Sequence, residues 1–249
     1  MKRMIAALFL LLFIYNGTAQ TVTTSLTYSV NLPKKQAAKT PVLIMLHGYG
    51  SNEADLFDIA KALDGRFITF SLRAPNTIAE NSFCWYALEP SPDGERKYNY
   101  SEARNSKAKI MSFISNACKA YKLDSTQVFI MGFSQGAIMA YDLAITSPKK
   151  IKGVLALSGR MMEESKALKT DALQLAKVKF YVAHGNSDNV IKIADAEKAV
   201  EFLKTKNVSD LAFKTYEMPH SINGKELNDI KAWLVKAITP PGEKKEEKK

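Results

Sequence analysis

The residues "GFSQG", Gly132 to Gly136, set one serine between two glycines, directly behind the run "VFIM" and directly ahead of "AIMAYDLAI". A serine at a strand-to-helix turn is held in a tight backbone geometry that bulky neighbours would obstruct, and the glycines leave that room. So placed, Ser134 projects beyond a strand end, at a helix N-terminus whose unpaired N–H groups favour developing negative charge. That is the setting of a nucleophile. A serine hydroxyl attacks poorly at neutral pH, so it needs a base within hydrogen-bond reach. The chain has three histidines, His47, His184 and His220. For a nucleophile on such a turn the order along the chain is Ser, acid, His, and Ser134, Asp188 and His220 fit it. Asp188, in "HGNSDNV", would hold the His220 ring in one tautomer and stabilise its charged form. Glu217, three residues from His220, and Asp195, inside a helical stretch, are weaker substitutes. Acyl transfer also develops an oxyanion, which wants two N–H donors already aimed at it. The Gln135 N–H and the Tyr49 N–H of "HGYG" are placed for that. His47 reads as structural, holding the "HGYG" turn, and His184 as a prop for the Asp188 loop. The histidines have no metal-ligand spacing, and no cofactor is implied.

These residues need a scaffold that brings loop ends together, and the hydropathy pattern supplies one. "PVLIML" is a continuous apolar run of the kind buried on both faces of a parallel sheet. "RFITFSL", "TQVFIMG", "KGVLALSG", "VKFYVAHG" and "LAFKTYEM" read as further strands, and the alternating "SLTYSV" as an edge or half-exposed strand. Between them lie "NEADLFDIAKAL", with Asn52 as cap, and the long amphipathic "SEARNSKAKIMSFISNACKAYK". "QGAIMAYDLAIT", "IKIADAEKAVEFLKTK" and "KELNDIKAWLVKAI" are helical as well. Strands alternating with helices predict an α/β domain with a mostly parallel central sheet and helices on both faces. Each candidate side chain then falls just beyond a strand, at the edge where ligands bind in such sheets. Two long stretches break the rhythm. "APNTIAENSFCWYALEPSPDGERKYNY" is too apolar for a disordered linker and suits the wall of a cleft or a folded-back loop that completes the core. "RMMEESKALKTDALQLA" is the second.

Composition narrows the class. The chain has 249 residues, 46% of them hydrophobic and 24% charged, enough for one domain with a real core. The formal charge of +10 is spread over helix faces, without a dense basic block interleaved with aromatics, so nucleic acid is not an expected partner. "MKR" followed by "MIAALFLLLFIY" is too short to span a bilayer. It suits a secretory signal peptide over residues 1–19, with Gly17 and Ala19 before a cleavage site at Gln20. The mature chain is then exported, to a periplasm or out of the cell, without a stable membrane anchor. Residues 20–239 form the domain, and "PGEKKEEKK" belongs to a charged, disordered tail over 240–249. Two cysteines, Cys84 and Cys118, do not make a disulfide scaffold, and their pairing is left open. Oligomeric state is not legible.

"LHGYGSNEADLFDIA", "MGFSQGAIMA", "AHGNSDNVI" and "MPHSI" with "DIKAWL" together resemble the phospholipase/carboxylesterase family of α/β-hydrolases, which includes acyl-protein thioesterases and lysophospholipases. The likeness runs from Pro41 to Ile238. It implies the α/β-hydrolase fold and a serine carboxylesterase that works without a cofactor. Ser134 would be nucleophile, Asp188 the orienting acid and His220 the base, with Tyr49 and Gln135 as oxyanion donors. The "SFCWYAL" segment resembles the family's loop beside the cleft, with Trp85 facing the substrate. The implied substrate is a small-molecule or polymer-linked ester; thioesters, lysophospholipids and acyl groups on polysaccharide are the variants. An inactive fold binding carbohydrate or lipid is the alternative that an intact Ser, Asp and His set opposes. Pro219 departs from the pattern, standing where the family usually has a glycine.

Overall fold

The computed structural model describes residues 20–33, 40–63, 65–90, 96–168 and 170–238. The expected signal segment at 1–19 and the charged tail at 240–249 lie outside them. Among the described residues eleven strands and seven α-helices follow in chain order. They are β1 (Tyr28–Asn31), β2 (Val42–Leu46), α1 (Phe57–Ala62), β3 (Ile68–Leu72), β4 (Asn76–Ala79), β5 (Ser82–Cys84), β6 (Leu88–Pro90) and β7 (Arg96–Tyr98). Next come α2 (Tyr100–Ala120), β8 (Val128–Phe133), α3 (Gln135–Thr146), β9 (Gly153–Leu157), α4 (Glu163–Ala167) and α5 (Ala172–Leu175). The chain continues with β10 (Lys179–Gly185), α6 (Ile193–Thr205), β11 (Leu211–Tyr216) and α7 (Gly224–Ile238).

Seven strands form the central sheet in the order β1-β3-β2-β8-β9-β10-β11, and every pair is parallel except β1 with β3. The short polar-apolar β1 therefore takes the edge that its alternation suggests. The central strands β2, β8 and β9 are apolar throughout because both faces are covered. Successive side chains go to opposite sides: Val42, Ile44 and Leu46 join one core with Ile130, Val154 and Val182. Leu43 and Met45 join the other with Phe129, Met131, Leu155 and Tyr181. Side chains of α2, α3 and α6 complete the first core, and those of α1 and α7 the second.

The sequence overstates the first helix. α1 starts only at Phe57, with Leu56 at its N-cap position. Asn52 instead accepts the Ala54 N–H at 2.9 Å in a local turn. The acids ahead of the helix are engaged elsewhere: Glu53 takes two hydrogen bonds from Arg73, at 2.5 and 2.6 Å, and Asp55 accepts from Ser51 at 2.8 Å. The described residues of the long stretch after β3 form two small antiparallel strand pairs, β4 with β5 and β6 with β7. Cys84 and Cys118 are both buried free thiols, and burial pushes the Cys84 thiol up to about 11.

The β8–α3 junction is the tightest point. A Cβ on Gly132 would lie 2.2 Å from the Gly136 carbonyl oxygen, and one on Gly136 would lie 2.0 Å from that of Leu46. Backbone atoms cannot swing aside as side-chain ends do. Gly136→Ala is therefore expected to cost about 2–3 kcal/mol, read as a lower urea midpoint. Gly65→Ala, where nothing lies within 4 Å of the new methyl, should leave the midpoint nearly unmoved. Equal effects at the two positions would refute the steric account.

Candidate active site

Ser134 holds a left-handed backbone, φ +53° and ψ −117°, unusual for a residue with a side chain. Its N–H donates to the Leu157 carbonyl at 2.9 Å, and its carbonyl accepts the Ala137 and Ile138 N–H groups as α3 begins. The turn points the hydroxyl outward, where Ser134 Oγ lies 2.8 Å from His220 Nε2. On the other side of the ring, His220 Nδ1 lies 2.6 Å from Asp188 Oδ2. The second Asp188 oxygen accepts the Val190 and Ile191 N–H groups at 2.8 and 2.9 Å. Burial alone would raise this carboxyl, but the His220 hydrogen bond and the two backbone donors outweigh it and hold Asp188 below its ordinary value. With Asp188 ionised, His220 Nδ1 carries the proton and Nε2 is left to accept from Ser134. Three strands supply these groups: Ser134 follows β8, Asp188 follows β10, and His220 follows β11.

The other two histidines have different surroundings. His47 is buried, its Nε2 accepts the Ala74 N–H at 3.0 Å, and its Nδ1 lies 2.7 Å from the Gly48 carbonyl. The ring is therefore neutral with its proton on Nδ1, and burial lowers its pKa. His184 places Nε2 2.9 Å from the Ile191 carbonyl and 3.3 Å from Asp188, bracing that loop from below. Glu217 accepts a hydrogen bond from Asn186, and Asp195 pairs with Lys198 on α6. Neither of these acids bonds to His220.

A cleft of about 530 Å³ opens over Ser134, lined by Tyr49, Tyr86, Leu88, Ile138, Arg160, Val190 and His220 among others. Tyr49 and Gln135 both reach it, and among the described residues neither backbone N–H has a protein partner. As the first residue of α3, Gln135 carries one of the N–H groups that a helix leaves unpaired. Trp85 does not face the cleft, which corrects the sequence reading. Its ring is fully buried against His47, and its indole N–H donates to the His47 carbonyl at 2.9 Å. An indole buried in this way needs a partner for its N–H, and the inner turn provides one. The next residue, Tyr86, lines the cleft instead.

Sequence reasoning also missed the side chain of Gln135. Its carbonyl oxygen accepts the Trp85 N–H at 2.8 Å and its amide donates to the Tyr86 carbonyl at 2.7 Å. The residue after the serine thus clamps the cleft wall to the serine turn. Ser106 on α2 adds a bond to the Trp85 carbonyl at 2.6 Å. Arg160, Asn189 and Ile191 were missed as well. Asn189 and Ile191 follow Asp188 in the quoted motif "AHGNSDNVI", the one signal that pointed to them. Among the described residues no cluster of three or more His, Cys, Asp or Glu is placed to hold a metal ion, and no helix is long and apolar enough to cross a membrane.

Comparison with known proteins gives the same picture across almost the whole domain. A family model described as phospholipase/carboxylesterase matches residues 28–238. Acyl-protein thioesterase 1 of Mycosarcoma maydis is 28% identical, over 83% of this chain and 95% of that protein. Among solved structures, the Bacillus cereus carboxylesterase superposes with a TM-score of 0.75 at 22% identity, covering 87% of this chain and 96% of its own. Zea mays acyl-protein thioesterase 2 gives a TM-score of 0.70 at 19% identity, over 86% of this chain and 99% of its own. At these identities the structural likeness speaks for the α/β-hydrolase fold.

The loop carrying His220 is anchored by α7, and one group there titrates unusually. Asn223 caps the helix by accepting the Glu226 N–H at 2.9 Å. The Glu226 side chain is fully buried, and among the described residues neither of its oxygens has a hydrogen-bond partner. Burial pushes its carboxyl up to about 8. Tyr181 lies close enough to feel the Glu226 charge, and hydrogen bonds of 2.6 and 2.8 Å link it through Tyr216 to Asp229. The folded state then holds a proton on Glu226 that the unfolded chain releases near the ordinary glutamate value of 4.5. Stability from this group is complete below the unfolded pKa and is lost as pH rises through the folded one. Glu226→Gln has no proton to lose. Its urea midpoint relative to wild type should climb from about pH 5 to about pH 8 and then level off. A difference independent of pH would mean that Glu226 is ionised in the fold.

Proposed function

The chain belongs to the phospholipase/carboxylesterase family, and on that premise we propose an exported serine hydrolase that cleaves carboxylic esters through an acyl-enzyme. The observation that carries this reading is the hydrogen-bonded series from Ser134 Oγ through His220 to Asp188, open to a cleft. His220 Nε2 takes the Ser134 proton as Oγ attacks the ester carbonyl carbon. Asp188 keeps the ring in the required tautomer and stabilises its cationic form. The Tyr49 and Gln135 N–H groups receive the oxyanion, and they need no reorganisation because the backbone holds them in place. The carbon–oxygen bond to the alcohol breaks, and His220 returns the proton to the departing oxygen. Water then attacks the acyl-enzyme, giving its proton to His220; the acid leaves and Ser134 recovers its hydrogen.

Hydrolysis of p-nitrophenyl esters from acetyl to dodecanoyl, with Ser134→Ala alongside, tests the reading. Loss of the nucleophile should lower kcat by about 10⁶-fold, the scale seen when such a serine is removed. Wild type as inert as the mutant on every ester would sink the oxyester hydrolase and leave a thioester hydrolase or a binding module for carbohydrate or lipid. A thioester substrate is the second reading, favoured by the name of the Mycosarcoma maydis relative. Oxyester and thioester of one acyl chain, compared by kcat/KM, decide between the two.

The export half of the proposal rests on the basic start, the short apolar core, and Gly17 and Ala19 ahead of Gln20. The intact mass of protein recovered outside the cytoplasm should correspond to a chain beginning at Gln20. A full-length chain retained in the cytoplasm would refute it.

A further inference from the structure

Among the described residues lining the cleft, Arg160 alone carries a permanent charge; none is Asp, Glu or Lys. Two features of the fold put it there. Ser158, at the end of β9 and next to the serine turn, takes a left-handed backbone, φ +49°, with its N–H bonded to the Ala183 carbonyl at 2.9 Å. Gly159 then presses on the first turn of α3, so closely that a Cβ would lie 2.4 Å from that of Ala137. This path delivers Arg160 into the same cleft as Ser134.

The guanidinium is held by an aromatic face. It lies 5.5 Å from the ring centroid of Tyr98, whose hydroxyl donates to the Glu164 carboxylate. Among the described residues no carboxylate pairs with Arg160. A cation over a ring keeps its N–H donors, whereas a bidentate ion pair would occupy them. Arg160 also lies close enough to Tyr86 for its charge to oppose the rise that burial causes in that phenol's pKa. The cleft thus combines apolar walls, Leu88, Ile138 and Val190, with one fork of donors suited to a carboxylate or a phosphate oxygen pair.

We propose that Arg160 selects esters bearing a negative charge, a carboxylate or phosphate on the acyl or the alcohol part, at the cleft over Ser134. This rests on the esterase reading of Ser134, and the test separates the two. Two matched pairs supply the arms. p-Nitrophenyl hydrogen glutarate against p-nitrophenyl valerate places the charge on the acyl end. 4-Carboxyphenyl butyrate against its methyl ester places it on the leaving group. The quantity read is the kcat/KM ratio of anionic to neutral ester, in wild type, Arg160→Gln and Arg160→Lys. Because each ratio is taken within one preparation, any misfolded fraction cancels.

Arg160→Gln should lower the ratio in at least one pair by about tenfold to a hundredfold, the range for a hydrogen bond to a charged group. Arg160→Lys should fall between, since it keeps the charge and loses the fork. The pair that responds identifies which end of the ester the arginine reads. Ratios equal in all three proteins would overturn the proposal. If wild type cleaved none of the four esters, calorimetry with glutarate and 4-hydroxybenzoate would decide the role of Arg160, and the longer esters and thioesters the hydrolase reading. Binding weakened by Arg160→Gln supports anion recognition; no binding, or binding indifferent to the substitution, overturns it.

Discussion

The backbone of Ser134 sits at φ +53°, in a region that costs a residue with a side chain about 1–3 kcal/mol. Nothing local stabilises that conformation, so the surroundings must. The Ser134 N–H is bonded to Leu157 on the adjacent strand, and its carbonyl starts α3. From Gln135 to Ile145 every residue of α3 is buried. Relaxing the turn would mean moving a helix packed against β8, β9 and β2, in an interior too dense to give way gradually. Gly132 and Gly136 follow from the same constraint, because the strand and helix meet at distances that exclude a Cβ. So does the Gln135 clamp, which ties the cleft wall to a turn that cannot move.

Electrostatics then sorts three identical side chains into different roles. His47 accepts one backbone hydrogen bond and lies beside a backbone carbonyl, so both ring nitrogens are occupied and the ring stays neutral. His184 lies beneath the Asp188 loop and touches its carboxylate from one side. His220 alone bridges a hydroxyl and a carboxylate, and it is the one histidine that lines the cleft. The chemistry of each imidazole is set by what surrounds it. The place of each histidine in its loop already suggested these roles in the sequence; the contacts that enforce them come from the tertiary structure.

The sequence by itself determined the parallel sheet and the serine turn. Apolar runs bounded by turn residues can satisfy their backbone groups and bury both faces only inside such a sheet. Glycines two residues either side of a serine at a strand end leave few backbone paths. The positions of Asp188 and His220 just beyond strands were legible for the same reason, since β8, β10 and β11 end at one edge. The first helix was overread because Glu53 and Asp55, acids that would suit a first turn, are held by Arg73 and Ser51. What only the tertiary structure decided is the cleft itself. Trp85 and Tyr86 are adjacent aromatics of similar hydropathy, yet one is sealed under His47 and the other faces the cleft. Arg160 lay unnoticed in a stretch without periodicity. Strand pattern is a repeat of two residues and shows in a short window. Which side of a hairpin meets a helix depends on contacts such as Gln135 to Trp85, fifty residues apart, and no local pattern encodes those.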